Sequence, residues 1–166
     1  MNIQHSIAAL LQREVQGFER EITLFPDDEM LWRTLPGIPN SAGNLALHIA
    51  GNLQHFVGTV LGGSAYVRDR DAEFSRRSGT RHEIVAELQK AAVAVRTVLP
   101  NLGDEILRRD FPDPVIPNRR IQTGSFLLHL CAHASFHLGQ AGYLRRGLTG
   151  DTQSAGPVPL SVLTEP

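Results

Sequence analysis

His129-Leu130-Cys131-Ala132-His133-Ala134-Ser135-Phe136-His137-Leu138-Gly139-Gln140 carries three histidines at successive four-residue steps. No Asp, Glu, Lys or Arg occurs from Ile121 to Leu144. Residues four apart on an α-helix stand one above the other, so the spacing predicts a helix with an imidazole ladder on one side. Each four-residue step advances the helix by about 40°, and His129 and His137 therefore diverge by about 80°. Neighbouring rungs form the natural chelating pair, either His129 with His133 or His133 with His137. The helix is expected to begin near Thr123 and end at Arg145-Arg146-Gly147, with cations in the last turn before a glycine stop.

Outward from the ladder, the remaining chain reads as three more long helices. Ile3, Ile7, Leu10, Leu11, Val15, Phe18, Ile22 and Phe25 recur at steps of three and four, the stripe of an amphipathic helix, stopped by Pro26. Asp27 is placed to cap a short turn through Trp32. After the turn-rich segment Leu35–Asn40, Ser41 caps a second helix with Leu45, Ile49, Leu53, Phe56 and Val60 on one stripe, ended by Gly62-Gly63. Ser64–Gly79 is expected to be a surface connection. Thr80-Arg-His-Glu83 has the form of a capping box and opens a third helix with Ile84, Leu88, Ala92, Val95 and Leu99 buried. Leu102–Asp110 suggests a further short helix, and Phe111–Asn118, with three prolines, a loop. No segment alternates as a strand. The expected fold class is all-α: a four-helix bundle with long crossovers in one domain over residues 1–150, followed by an irregular, proline-containing tail over 151–166.

Composition bounds the function. The 166 residues carry a formal net charge of −1 and no basic tract beyond scattered Arg-Arg pairs, which argues against nucleic acid as a partner. The single cysteine, Cys131, excludes an intramolecular disulfide framework and fits a reducing, cytoplasmic compartment. The chain opens without a basic start and apolar run. Ser41–Leu61 lacks Asp, Glu, Lys and Arg, yet Asn44, Asn52, Gln54, two histidines and several glycines make it too polar for a lipid-facing span. Helices two and four are thus almost uncharged all round, which places them centrally or against another subunit, and a homodimer is expected.

Helix two offers His48, Asn52 and His55 along one side, so it can add a third imidazole to a pair on helix four. Three histidines leave an open coordination position, the mark of a catalytic rather than a structural metal site. The alternative reading is a set of buried histidines, each needing a hydrogen-bond partner that these uncharged stretches are poor in. His5 and His82 read as surface residues, and Cys131 as a small core residue on a different face from the ladder. Gln140 suits either the pocket or a helix-packing hydrogen bond. No His-Glu-x-x-His, Glu-x-x-His, Walker loop or GxGxxG is present.

Gly43-Asn-Leu-Ala-Leu-His48-Ile-Ala-Gly-Asn52-Leu, then Leu61-Gly-Gly and Arg68-Asp-Arg-Asp-Ala-Glu-Phe74, resembles one branch of the DinB superfamily. So does His129-x-x-x-His133-x-x-x-His137-x-Gly-Gln140 followed by Leu144-Arg145, and the resemblance runs from about Leu31 to Gly150. It implies an up-down four-helix bundle, commonly dimeric, with a divalent metal on three histidines, carried here onto His48, His133 and His137. In the family the ion is zinc or nickel, and some members are thiol-dependent S-transferases or isomerases. His129 fits this branch but not the wider triad, and Leu138 stands where many relatives have Arg. The resemblance implies a metal-dependent enzyme that joins a small-molecule thiol to a small electrophile. A non-catalytic metal- or small-molecule-binding stress-response bundle is the alternative, and no residue is assigned a catalytic role.

Overall fold

The computed structural model of the chain describes residues 2–156 and Ser161. Six α-helices are present among them: α1 (Ile3–Thr23), α2 (Ala42–Leu53), α3 (Arg70–Ser75), α4 (Arg81–Val98), α5 (Asp104–Arg108) and α6 (Thr123–Thr149). The described residues contain no strand, only an isolated antiparallel bridge between Asp110 and Gln122. Among the described residues no helix is long and apolar enough to cross a membrane.

Local chemistry sets the helix starts. Asn2 Oδ1 accepts from the backbone N–H groups of Gln4 and His5 at the head of α1. Ser41 and Asn44 form a reciprocal capping box on α2, as Thr80 and Glu83 do on α4. Asp27 accepts from Met30 N at 2.8 Å and starts the short 3-10 turn Met30–Trp32. The end of α6 differs from expectation. Gly147 lies inside the helix, and the stop is Gly150, whose φ of 70° is the left-handed conformation that glycine adopts without steric penalty.

Four long helices make the bundle, with α1 packed on α4 and α6, and α2 packed on the same pair. The core is Ile7, Leu11, Val15, Phe18 and Ile22 of α1 meeting Leu45, Ile49 and Leu53 of α2. Ile84, Leu88, Ala91 and Val95 of α4, and Leu127, Leu130 and Ala134 of α6, complete it. Ala91, rather than Ala92, takes the buried place on α4.

Side-chain pairings give the helix directions. Gln4 reaches Leu102 and Arg81 reaches Thr23, so α1 and α4 are antiparallel. Gln54 bonds Glu87, while Gly62 abuts Val98, so the second helix and α4 run the same way. His48 faces His133 and His137, and Phe56 faces Phe126, which makes α2 and α6 antiparallel. The directions are therefore up, down, down, up. One long crossover, residues 62–80, returns the chain to the end of the bundle where α2 began.

That crossover is not merely a surface connection. It contains α3, and it carries Arg68 and Glu73 with only 11 % and 6 % of their side chains exposed. Asn44 Nδ2 donates to the carbonyls of Glu73 and Arg76, each at 2.9 Å, and so fastens α3 onto α2. Every one of the twelve residues of α2 is buried as a result. Beyond Leu53 the helix continues as π-helix through Gln54–Leu61. The wider winding breaks the seven-residue register between His48 and His55, which a continuous α-helix would have placed on one side.

The other uncharged helix, α6, keeps one face open. Leu128, Phe136 and Tyr143 stand exposed along it, with Ala132 and Gly139 between them. Arg145, expected as a helix-end charge, is instead fully buried and paired with the equally buried Glu21. Arg145 also donates to Asp151 and to the Gln153 carbonyl, and Glu21 accepts from Ala155 N. These bonds hold the described part of the tail on the bundle. The remainder of the expected tail lies outside the described residues.

Candidate metal centre

His48 on α2 and His133 and His137 on α6 meet across the seam between the two helices, and their ligand atoms all lie within 4.8 Å of one another. Nε2 of His133 is 3.2 Å from Nε2 of His48 and 3.1 Å from Nε2 of His137. Three nitrogens bound tetrahedrally at about 2.0–2.1 Å would stand roughly 3.3 Å apart, close to what is observed.

The outer nitrogens determine what the inner ones are. His48 Nδ1 lies 2.9 Å from Glu73 Oε2 and 3.2 Å from Arg68 Nη2; the shorter contact, to a carboxylate that can only accept, assigns the proton to Nδ1 and leaves Nε2 as a bare lone pair. His137 Nδ1 lies 2.7 Å from Gln140 Oε1, which assigns the same tautomer there. Two lone pairs thus aim at His133 Nε2. A proton on that atom satisfies one of them and leaves the other facing it. A proton on His133 Nδ1 makes three lone pairs converge. In either case His133 Nδ1 is buried without a hydrogen-bond partner, as is Oδ1 of Asn52, one turn along from His48. A cation at the centre suits this arrangement, and the three histidines can hold a metal ion.

The electrostatics favour, for His133 and His137, the neutral form that metal binding requires. Burial, followed by the charges that His137, His48, His129 and Arg68 would present, pushes His133 down to about 4. Burial also lowers His137, against the opposing hydrogen bond to Gln140. Burial pushes the Glu73 carboxyl up, but hydrogen bonds and charge from Arg68 and His48 outweigh it and hold it below the usual range. Arg68 grips that carboxylate with two bonds, Nε to Oε1 at 2.7 Å and Nη2 to Oε2 at 2.8 Å. Phe74 covers the other side of the His48 ring, with centroids 4.7 Å apart. Carboxylate–histidine pairing of this kind fixes ring orientation and raises ligand basicity.

Other candidates fall outside the cluster. His129 stacks on His133 with ring centroids 5.7 Å apart and is itself exposed, so it supports the ladder from the side. His55 turns to the proline-rich loop, where Nε2 lies 3.2 Å from Asp113 Oδ2. His5 and His82 are exposed. Burial and the nearby Glu14 push the Cys131 thiol up to about 11, as befits an inert core residue. Glu73 and Arg68 are the site residues that composition and spacing did not reveal. Their signal was the Asp69 cap, which accepts from Ala72 N and starts a helix in a segment otherwise rich in surface charge.

His137 and Gln140 also line one end of a cavity of about 560 Å³. A second cavity, of about 320 Å³, lies on another side of α6, lined by Arg13, Glu14, Glu21 and Arg146 among others.

An all-helical bundle with a three-histidine cluster at the seam of two uncharged helices defines a narrow class of proteins. The chain belongs to the DinB superfamily, whose family model matches residues 10–141 and so takes in all three histidines. No curated protein gives a significant match to the chain.

Proposed function

We propose that the chain is a divalent-metal-dependent enzyme with His48, His133 and His137 as ligands, zinc or nickel as the ion, and thiol S-transfer to small electrophiles as the reaction class. The observation that carries this reading is the convergence of three Nε2 atoms, with the outer nitrogens of His48 and His137 already committed and that of His133 buried without a partner. Among the described residues no fourth His, Cys, Asp or Glu joins the group, and three protein ligands leave a position for a small molecule. A bound divalent ion would lower the pKa of a thiol there and supply thiolate near neutral pH. The chain's own groups fit a reaction that needs no protein base. Glu73, the carboxylate behind the cluster, has both oxygens engaged by Arg68 and His48 and is not free to take a proton.

The exposed, uncharged face of α6 through Leu128, Phe136 and Tyr143 supports pairing of two copies. A homodimer, in a cytoplasmic setting consistent with one reduced cysteine, completes the reading. Light scattering at micromolar protein gives twice the chain mass under this reading and the single-chain mass against it.

The test of function is turnover of 1-chloro-2,4-dinitrobenzene with a panel of cellular thiols, run beside elemental analysis of protein purified without a histidine tag. Thiol-dependent turnover that His133→Ala abolishes together with the metal supports the enzyme. Stoichiometric metal without turnover of any electrophile supports the non-catalytic binding protein. Absence of zinc and nickel, with none taken up on addition, overturns both.

A further inference from the structure

The cavity beside His137 has walls of one kind. Leu35, Ile38, Pro39 and Leu45 face Tyr143 and Leu144 across it, and no charged side chain lines it. Its polar side chains are Asn40, at the segment leading into α2, and His137, Gln140 and the phenol of Tyr143 on α6. The contrast with the arginine- and glutamate-lined cavity elsewhere on α6 is sharp. A volume near 560 Å³ falls within the range of small-molecule sites.

Gln140 gives the cavity a direction. Its Oε1 lies 2.7 Å from His137 Nδ1, and an amide in this orientation turns Nε2 away from that ring. No described residue accepts a hydrogen bond from Gln140 Nε2, so one end of an apolar cavity presents an amide donor next to a member of the histidine cluster.

We propose that this cavity binds an uncharged, largely apolar small molecule with one hydrogen-bond acceptor, the acceptor on Gln140 Nε2 and the apolar body against Leu35, Ile38, Leu45 and Leu144. The chemistry of the walls selects against charge, because a carboxylate placed there loses water and finds no cation in exchange. Cellular thiols that carry carboxylates are therefore poor occupants. If the proposed S-transfer holds, this cavity seats the electrophile, and the thiol reaches the cluster by another side. The identification of the electrophile rests on that functional reading, whereas binding of the neutral molecule does not.

The experiment is a backbone-amide NMR titration of the full chain, metal-free at pH 8, with acetophenone and with benzoate of similar size. Working without metal keeps benzoate from binding an ion. Acetophenone is expected to shift residues 35–45 and 137–144 and to bind at least about tenfold more tightly than benzoate. Ile38 is 45 % exposed, so Ile38→Glu leaves the core untouched; it is expected to abolish the shifts. Gln140→Leu is expected to weaken acetophenone while leaving ethylbenzene, which has no acceptor, unchanged. Equal affinity for benzoate, insensitivity to Ile38→Glu, shifts confined to another cavity, or a dimer that fills the cavity and binds no probe each overturns the proposal. Failure of the metal reading shows separately, as protein that binds acetophenone but takes up neither zinc nor nickel.

Discussion

Glu73 occupies the space that a side chain at Gly51 would need: a Cβ built on Gly51 would overlap Oε1 of Glu73 and come within 3.0 Å of its Cδ. The bare backbone at residue 51, one turn from His48, is what lets α3 lie close enough for the carboxylate to reach Nδ1 of that histidine. Gly51→Ala is therefore expected to push Glu73 off His48, with two readable effects. Zinc affinity, measured against a competing chelator, should fall about 10–100-fold, as for other losses of a histidine's hydrogen-bond partner. Stability in urea should fall by about 1–3 kcal/mol from overpacking. An unchanged affinity would show that Glu73 does not orient the ring.

The ladder separates into unlike members. His133→Ala removes the nitrogen that stands between the other two, and the purified protein is expected to hold no stoichiometric metal. His129→Ala and His55→Ala should retain it, because one is a stacking neighbour and the other is engaged by Asp113. Elemental analysis of the three variants decides the matter, and loss of metal in His129→Ala would move the site one rung along α6.

Metal-free protein should be acid-labile in a defined window. The folded state holds His133 near 4 and His137 below its usual value, both chiefly through burial. The unfolded chain binds those protons near pH 6.5. Between these limits unfolding takes up protons, so the stability these groups contribute is present above about pH 6.5 and is lost as pH falls toward 4. For His133 the full shift corresponds to about 3 kcal/mol, and solvent screening of this partly exposed ring brings the expected loss down to about 1–2 kcal/mol. Urea unfolding at pH 7.5 and 4.5 measures it, and His133→Phe should flatten the difference.

Arg145 and Glu21 form the most deeply buried ion pair of the bundle. Arg145→Met leaves the carboxylate of Glu21 with Ala155 N as its remaining partner, and is expected to cost about 3–5 kcal/mol. Replacing both, as Arg145→Met with Glu21→Leu, should recover most of that loss. Limited proteolysis offers a second readout, since the single variant also releases Asp151 and Gln153.

With its thiol raised to about 11 by burial and by Glu14, Cys131 should react sluggishly. Alkylation by iodoacetamide at pH 7.5 is expected to run about 100-fold slower than for a free thiol. Labelling at the free-thiol rate would place Cys131 in the reactive class.

The long helices were legible because their apolar residues repeat at helical steps and because Ser41 and Thr80 announce the starts of α2 and α4. The histidine cluster was legible in part: four-residue spacing offers His129 with His133 or His133 with His137, the family resemblance selects the second pair, and the absence of charge around His48 marks α2 as buried. The support behind His48 was hidden. Arg68 and Glu73 sit among Asp69, Arg70 and Asp71, where charge reads as solvent exposure, and only the folded crossover turns two of these residues inward. His55 was misplaced for a related reason. A seven-residue interval has one meaning in an α-helix and another once the winding widens at Gln54. Arg145 escaped notice because its partner, Glu21, lies far away in the chain on a helix that reads as charged on its outer side.

The complete burial of α2 makes the three-histidine cluster mechanically lopsided. His48 is mounted on a helix with no free face and is braced by Glu73, Arg68 and Phe74, so its nitrogen is a stiff reference point. His133 and His137 belong to a helix open along one side, and Gln140, which steadies His137, is itself exposed. Compliance is thus concentrated in α6. Ions of different radius would be accommodated by small adjustments of the α6 rings about a fixed His48, and any tuning of ion preference by substitution would act on that helix first.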